Sequence, residues 1–154
     1  MYTFCIDLDG TLKTESDFNC SGFNNVIIVK TSRTYRMLKR KGVDDFLSAA
    51  KERGVVYMTT AAGTTYGEKV AEGLGIRQYF DDIIGADRMV RGQWPQFKGD
   101  IIWIDNDREG LNLKINRLPY KVRYAVMDTW IIDTFEGVED STMKELCEEI
   151  KKLP

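Results

Sequence analysis

Runs suited to strands alternate with stretches of helical periodicity along most of the chain. The strand-like runs cover residues 4–6, 55–60, 81–86 and 100–107, and a weaker one covers 123–128. Helical spacing of apolar residues occupies 42–54, 67–75 and 139–153. Short apolar runs of this kind are typical of strands buried on both faces. Strands alternating with helices predict an α/β, Rossmann-like fold, with a mostly parallel central sheet and helices on both faces.

The segment after the first strand has a different pattern. Residues 13–25 are polar and rich in Ser and Asn, which predicts an exposed loop. Two strand-like runs, 26–29 and 34–38, predict a small β-hairpin inserted after the first strand. This hairpin and one helix fill the segment before the second sheet strand, so we expect no large cap domain. The length of 154 residues suits a single domain over 1–154.

Composition narrows the function classes. The net charge of −2 gives no bulk field that attracts nucleic acid, although a basic run at 33–41 leaves that partner open. No apolar run reaches 18 residues, which predicts no membrane span, and the carboxylates at 7 and 9 interrupt any signal peptide. Three scattered cysteines form neither a disulfide framework nor a zinc site, so we expect a cytoplasmic protein. The absence of histidine excludes Ser-His-Asp and Cys-His catalysis.

Two carboxylates follow the first strand directly. Asp7 and Asp9 come after the apolar run 4–6 and precede Gly10 and Thr11. In an open parallel sheet, ligands bind beyond the carboxyl ends of the strands. A buried unpaired charge is expensive, and a divalent cation would compensate it. An aspartate can also attack phosphorus and form an aspartyl-phosphate. The alternative is a polar loop after a core strand.

A second acidic strand end completes the predicted site. Asp105 and Asn106 follow the run 101–104 and would lie beside the tip of the first strand. Mg²⁺ binds one or two carboxylates with other oxygen ligands, so the predicted metal ligands are Asp7, Asp9, Asp105 and Asn106. The alternative is an Asp-Asn turn after a core strand. Asp107 is expected to be the N-cap of the next helix.

A threonine ends the second strand of the predicted sheet. The Thr60 hydroxyl and the backbone N–H of Ala61 and its small neighbours could hold phosphate oxygens near a helix N-terminus. Thr59 is the competing choice. Thr60 is preferred because it comes immediately before the turn of small residues.

These motifs resemble those of the haloacid dehalogenase (HAD) superfamily, and within it the FCP/SCP, or NLI-interacting-factor-like, branch. The resemblance lies in DLDGTL at 7–12 and in the runs 40–47, 60–66 and 104–106. It implies that Asp7 is the nucleophile, that Asp9 is the general acid and then the base, and that Mg²⁺ is the cofactor. Gly10 departs from the family pattern, which usually has Glu there.

The superfamily resemblance also implies a basic side chain that neutralises the phosphate and the nucleophile. Arg91 is the first choice and Arg88 the second, because both follow the carboxyl end of the third strand. Lys98 precedes the strand that ends at Asp105. At about 3.3 Å per residue it would lie roughly 20 Å behind the site.

The function predicted from these features is Mg²⁺-dependent hydrolysis of a phosphomonoester through an aspartyl-phosphate. The branch acts on phosphoserine in flexible protein tails, which implies a phosphoserine or phosphothreonine protein, or another bulky phosphomonoester, as substrate. One alternative keeps the chemistry on a polynucleotide 3′-phosphate or a nucleotide. Another is a non-catalytic phosphoprotein-binding module, against which the presence of Asp7, Asp9 and Asp105 together argues.

Overall fold

A computed structural model describes residues 1–15 and 26–154. The strands are β1 Tyr2–Ile6, β2 Lys13–Glu15, β3 Val26–Lys30, β4 Thr34–Lys39, β5 Gly54–Thr59, β6 Asp82–Ile84, β7 Asp100–Asp105 and β8 Val126–Ile131. The helices are α1 Val43–Arg53, α2 Thr64–Gly73, α3 Ala86–Val90, α4 Arg108–Asn116, α5 Tyr120–Arg123 and α6 Thr142–Lys151, and Arg77–Tyr79 form a short 3₁₀ turn.

Within the described residues, five strands form a parallel sheet in the order β6-β5-β1-β7-β8. All five residues of the central strand β1 are buried. Ile6 at the end of β1 pairs with Met58 on one side and Ile104 on the other. The next residue on each strand, Asp7 and Asp105 among them, therefore lies at the same edge of the sheet. The predicted α/β fold is confirmed.

The two faces of the sheet carry separate cores. One face packs Phe4 and Ile104 against apolar side chains of α1, α2 and α6. The other face packs Cys5 and Trp103 against side chains of α3 and α4. This division follows from the strand period of two, which sends neighbouring residues to opposite faces. Helices therefore cover both faces, as predicted.

The predicted hairpin is β3–β4, and it belongs to a second, three-stranded antiparallel sheet in the order β2-β4-β3. Residues 13–15 form its first strand, so the predicted loop at 13–25 is wrong for these three residues; residues 16–25 lie outside the described part of the chain. β2 forms because each of its residues pairs with β4, a long-range contact that a polar sequence does not reveal.

Several helix boundaries differ from the prediction. α2 begins three residues early, since Asp87 Oδ1 accepts the backbone N–H of Thr64 at 2.8 Å and satisfies the helix start. The predicted strand 123–128 begins only at residue 126, because the short helix α5, with Pro119 at its N-cap, extends to Arg123. The N-cap position of α6 is Ser141, and the Asp140 carboxylate accepts the Thr142 N–H. In the described residues, no helix combines the length and apolar character that a membrane crossing requires.

Candidate active site

Three polar residues gather at the carboxyl edge of the parallel sheet. Asp7 follows β1, Thr60 follows β5 and Asp105 ends β7, and their exposed fractions are 6%, 1% and 2%. Buried carboxylates require a compensating charge. A cation that faces Asp7 and Asp105 supplies this charge.

That cation is Lys114, a buried lysine in the last turn of α4. Its ammonium donates to Asp7 Oδ1 at 2.8 Å and to Asp105 Oδ2 at 2.9 Å. A third hydrogen bond, also of 2.8 Å, goes to the main-chain oxygen of Thr59. All three donors of the ammonium are therefore used, and the side chain joins β1, β5 and β7 at their tips.

Burial and charge set the protonation of this cluster. Burial raises the pKa of Asp7 to about 6, an effect that the neighbouring Lys114 ammonium reduces and the Asp105 carboxylate increases. Burial by itself would lower the pKa of Lys114, but the two carboxylates outweigh it and raise that pKa. Lys114 is thus an ammonium at neutral pH, and its charge favours the anionic form of Asp7, the form that a nucleophile requires.

The position that the sequence analysis gave to Arg91 is held by Lys114, so that prediction is corrected. Arg91 is an exposed residue at the C-cap of α3. Arg88 donates to Asp82 Oδ1 at 2.8 Å and to the Ile83 main-chain oxygen at 2.9 Å, contacts that tie it to β6. Both arginines follow a strand end, but that strand is at the edge of the sheet, two positions from β1.

The exclusion of Lys98 agrees with the structure. Its backbone N–H donates to Thr3 Oγ1 at 2.9 Å, near the start of β1. Lys98 therefore lies toward the amino end of the sheet, away from Asp7.

The loop after Asp7 turns sharply and brings its backbone against Asn106. Gly10 has a φ of +80°, and a Cβ at this position would overlap the amide of Asn106. A side chain at this position would meet both a left-handed backbone and this contact. The Glu usual in the FCP/SCP branch would therefore strain the backbone here and require the Asn106 side chain to shift. The turn also lets the Thr11 hydroxyl donate to Asp7 Oδ2 at 3.0 Å.

Oxygen atoms of three residues converge beside Asp7. The amide tip of Asn106 lies 2.9 Å from Asp7 Oδ2 and 3.0 Å from the main-chain oxygen of Asp9. With its oxygen at that tip, the amide places three acceptors together, and the Thr11 hydroxyl lies within hydrogen-bond distance of two of them, Asp7 Oδ2 and Asn106 Oδ1. With its nitrogen there, the amide donates to the same oxygens. The first orientation is the one that a hard cation stabilises, and an all-oxygen donor set suits Mg²⁺.

The predicted metal ligands divide into two groups. Asp7 Oδ2, the Asp9 main-chain oxygen and Asn106 fit a Mg²⁺ ion. Asp105 has both carboxylate oxygens engaged by protein donors, Oδ2 by Lys114 and Oδ1 by the Asp107 N–H at 2.9 Å. Its contacts favour holding Lys114 over binding a metal. Across residues 1–15 and 26–154, no three His, Cys, Asp or Glu side chains cluster as a metal site.

Asp9 has a more open environment than Asp7. Its side chain is 48% exposed, and its Oδ1 contacts the Lys13 ammonium and accepts the Tyr66 hydroxyl at 3.3 Å. An open cavity of about 640 Å³ adjoins it, lined among others by Tyr35, Tyr66 and Lys69. A substrate group bonded to a phosphate at Asp7 has room here, beside the carboxylate that the sequence analysis assigns to acid-base chemistry.

The hydroxyl groups of Thr60 and Thr59 have different hydrogen-bonding environments. The Thr60 hydroxyl accepts the Ala62 N–H at 3.1 Å, so its own hydrogen is free to donate to a ligand. The Thr59 hydroxyl is buried and has no hydrogen-bond partner in the described structure. Thr60 precedes the N-terminus of α2, where backbone N–H groups favour anions. The roles of Thr60 and Ala61 in holding phosphate stay predictions.

Two lysines at the site were missed by the sequence analysis. Lys114 lies three residues after Leu111 and four before Leu118, both of which are buried. A lysine on the apolar stripe of a helix is rarely buried without a charged partner, and this signal was present in the sequence. Lys13 lies in the predicted loop, and no local pattern marked it as buried.

The predicted N-cap Asp107 is confirmed, because its carboxylate accepts the Glu109 N–H.

Comparison with solved structures shows the same fold in phosphatases. Fission yeast RNA polymerase II CTD phosphatase Fcp1 bound to beryllium fluoride is 16% identical, with a TM-score of 0.62 over 97% of this chain and 49% of that chain. A second Fcp1 structure, 16% identical, has a TM-score of 0.57 over 97% and 48% of the two chains. A predicted phosphatase from Clostridium acetobutylicum is 17% identical, with a TM-score of 0.56 over 98% of both chains. The chain spans about half the length of the Fcp1 chains.

Sequence comparison identifies the family. No curated protein sequence matches the chain significantly. The family profile described as NLI interacting factor-like phosphatase matches residues 2–154, which is nearly the whole chain. The chain therefore belongs to the NLI interacting factor-like phosphatase family, the branch that its motifs at 7–12 and 104–106 resemble.

Proposed function

We propose that this chain is a Mg²⁺-dependent phosphatase that hydrolyses a phosphomonoester through an aspartyl-phosphate on Asp7. The observation that carries the proposal is the Asp7 carboxylate itself. It is buried, held at Oδ1 by Lys114 and at Oδ2 by Thr11, and lies beside the Asn106 amide, which also contacts the carbonyl of Asp9. A carboxylate fixed by this many donors attacks with little loss of orientational freedom.

Each residue around Asp7 has a definite role in this reaction. An Asp7 oxygen attacks phosphorus, and the bond from phosphorus to the leaving oxygen breaks. Asp9 gives its proton to that oxygen and then removes a proton from the water that hydrolyses the aspartyl-phosphate. Lys114 neutralises the charge of Asp7 and of the phosphoryl oxygens nearest to it. A Mg²⁺ ion held by Asp7, Asn106 and the Asp9 carbonyl would add further positive charge to the phosphoryl group.

The proposed substrate is a phosphoserine or phosphothreonine in a protein. Three points support a bulky substrate: the family of the chain, the half-exposed Asp9, and the open cavity beside it. The Fcp1 structures that share this fold are described as RNA polymerase II CTD phosphatases. The insertion between β1 and α1 is the small β-sheet with residues 16–25, which are too few for a cap domain that would close over small metabolites.

The polynucleotide alternative has less support. The basic run at 33–41 was the feature that left it open. Arg40 of that run is buried and bonded to Asp140, and Lys39 forms an ion pair with Asp44. These two cations are therefore not available to an anionic polymer. A panel of phosphopeptides, 3′-phosphorylated oligonucleotides and nucleotides, assayed under the same conditions, separates the alternatives.

The test of the proposed function is phosphate release from p-nitrophenyl phosphate with Mg²⁺ and with EDTA. We expect turnover that EDTA abolishes and that Asp7→Asn lacks. Asp100→Asn is the matched control, because Asp100 is exposed at the opposite end of β7 and should keep full activity. Mg²⁺ and phosphopeptide binding without turnover in the wild type would contradict the proposal and support the non-catalytic binding module.

A further inference from the structure

A second buried lysine lies beside the candidate site and has no role in the mechanism above. Lys13 is on β2, and none of its surface is exposed. Burying an ammonium is unfavourable unless partners replace its water. The partners of Lys13 therefore indicate what this burial is for.

The Lys13 ammonium contacts the Asp9 carboxylate and donates to the Tyr66 hydroxyl at 2.8 Å. The same hydroxyl donates to Asp9 Oδ1 at 3.3 Å. The Tyr66 ring is held in turn by the edge of Tyr35, at a centroid distance of 5.5 Å and an interplanar angle of 75°. Asp9 is thus fixed by two donors that come from separate elements, β2 and α2.

Both donors bind the same carboxylate oxygen. The shortest Lys13 contact and the Tyr66 hydrogen bond both go to Oδ1, and the described residues form no hydrogen bond to Oδ2. With Oδ1 held, the free oxygen is the one that can meet a leaving group. The half-exposed Asp9 would otherwise rotate about its side-chain bonds, and each rotamer would aim Oδ2 differently.

We propose that Lys13 and Tyr66 are positioning residues that fix Asp9 by its Oδ1 and so present Oδ2 to the leaving oxygen. This inference rests on the proposed function, since it assigns a support to the general acid. In the step concerned, an Asp7 oxygen bonds to phosphorus, the bond from phosphorus to the leaving oxygen breaks, and the proton on Asp9 Oδ2 passes to that oxygen. Lys13 and Tyr66 keep their own protons throughout.

The experiment uses leaving groups of different basicity. p-Nitrophenolate is a weak base and leaves with little protonation, whereas the alcohol of a phosphoserine peptide needs a general acid. We expect Lys13→Met and Tyr66→Phe to lower kcat on the phosphoserine peptide by about tenfold or more, a part of the 10²–10⁴ typical of general acid catalysis. The single-turnover rate of aspartyl-phosphate formation from p-nitrophenyl phosphate should change less than about threefold. Asp9→Asn should show the same selectivity more strongly.

Lys39→Met is the matched control. Lys39 pairs with Lys13 across β2 and β4, and its ammonium donates to the Leu74 main-chain oxygen without contacting Asp9. It should leave the ratio of the two rates unchanged. Tyr66→Phe removes a single hydroxyl, so it keeps the test decisive if Lys13→Met does not fold, which a thermal unfolding curve will show.

Two failures can be told apart. Equal losses on both substrates, or no loss on the peptide, in folded Lys13→Met and Tyr66→Phe would overturn this inference and leave the proposed function standing. Full activity of Asp7→Asn, or a wild type without turnover, would remove the proposed function and this inference with it.

Discussion

Replacing Lys114 with Met removes the charge at the centre of the site while keeping most of the side-chain volume. The substitution deletes three hydrogen bonds of 2.8 to 2.9 Å, two of them to carboxylates. Asp7 and Asp105 would then face each other in a buried space without a cation. Breaking a buried ion pair in this way costs about 3–5 kcal/mol of stability. For a domain of this size, that corresponds to a fall in Tm of roughly 6–20 °C.

The same change removes a cation from the place where charge develops in the proposed reaction. Loss of one such electrostatic contact lowers kcat by about 10²–10³-fold. We therefore expect Lys114→Met to be nearly inactive on p-nitrophenyl phosphate. The comparison is Arg91→Met, which tests the arginine chosen from the sequence; Arg91 is exposed, so stability and activity should stay close to the wild type.

The loss of stability should depend on pH with a definite sign. Without Lys114, the folded carboxylate pair binds a proton more tightly than the unfolded chain does. Folding then takes up protons, and the variant gains stability relative to the wild type as the pH falls. Thermal unfolding from pH 5 to 8, followed by circular dichroism, measures this trend. A Lys114→Met protein as stable and as active as Arg91→Met at neutral pH would refute the reasoning.

Two further predictions concern the supports of the site. Gly10→Ala should be less stable and bind Mg²⁺ more weakly, because it adds a steric overlap with the Asn106 amide to a left-handed φ of +80°. Gly75→Ala is the control, because Gly75 also has a left-handed φ, of +70°, but a Cβ there would meet nothing within 4 Å. Its free energy of unfolding should fall only by the backbone cost of about 1–2 kcal/mol, and its Mg²⁺ affinity should not change. Equal losses of stability in the two variants on urea unfolding would contradict a role for the Asn106 contact. Burial would raise the pKa of Asp140, but hydrogen bonds from Arg40 and Thr142 outweigh it and lower that pKa. Asp140→Asn should therefore lower the free energy of unfolding by its full amount at pH 7 and by progressively less below about pH 4, because the wild-type carboxylate is protonated there. A stability difference between variant and wild type that stays constant across this range would contradict the ion pair.

Most of the sheet was predictable because its signal is local. Buried parallel strands are short apolar runs, and an acidic residue directly after such a run marks the end of the strand. Asp7 and Asp105 were placed correctly by this contrast, since strand ends of one parallel sheet meet at one edge. The helix α1 was equally clear from its spacing of Val43, Phe46, Leu47 and Ala50.

The cations could not be placed by the same argument. The basic residue was expected after a strand end, whereas Lys114 reaches the site from the last turn of α4. Its position depends on the helix face, which the spacing of Lys114 from Leu111 and Leu118 indicated without identifying its partners. Lys13 depends on the pairing of β2 with β4, which joins residues 26 positions apart, as in the register of Lys13 with Lys39. Neither distance along the chain nor composition encodes such a contact.

The central claim is that Asp7 carries the phosphoryl group during turnover. The most direct measurement is reduction of an acyl-phosphate with borohydride during turnover, followed by mass spectrometry of the peptide that contains residue 7. An aspartyl-phosphate on Asp7 predicts conversion of that aspartate to homoserine, dependent on substrate and Mg²⁺ and absent in Asp7→Asn. Turnover without conversion at Asp7, or conversion at Asp9 or Asp105 in its place, would contradict the account.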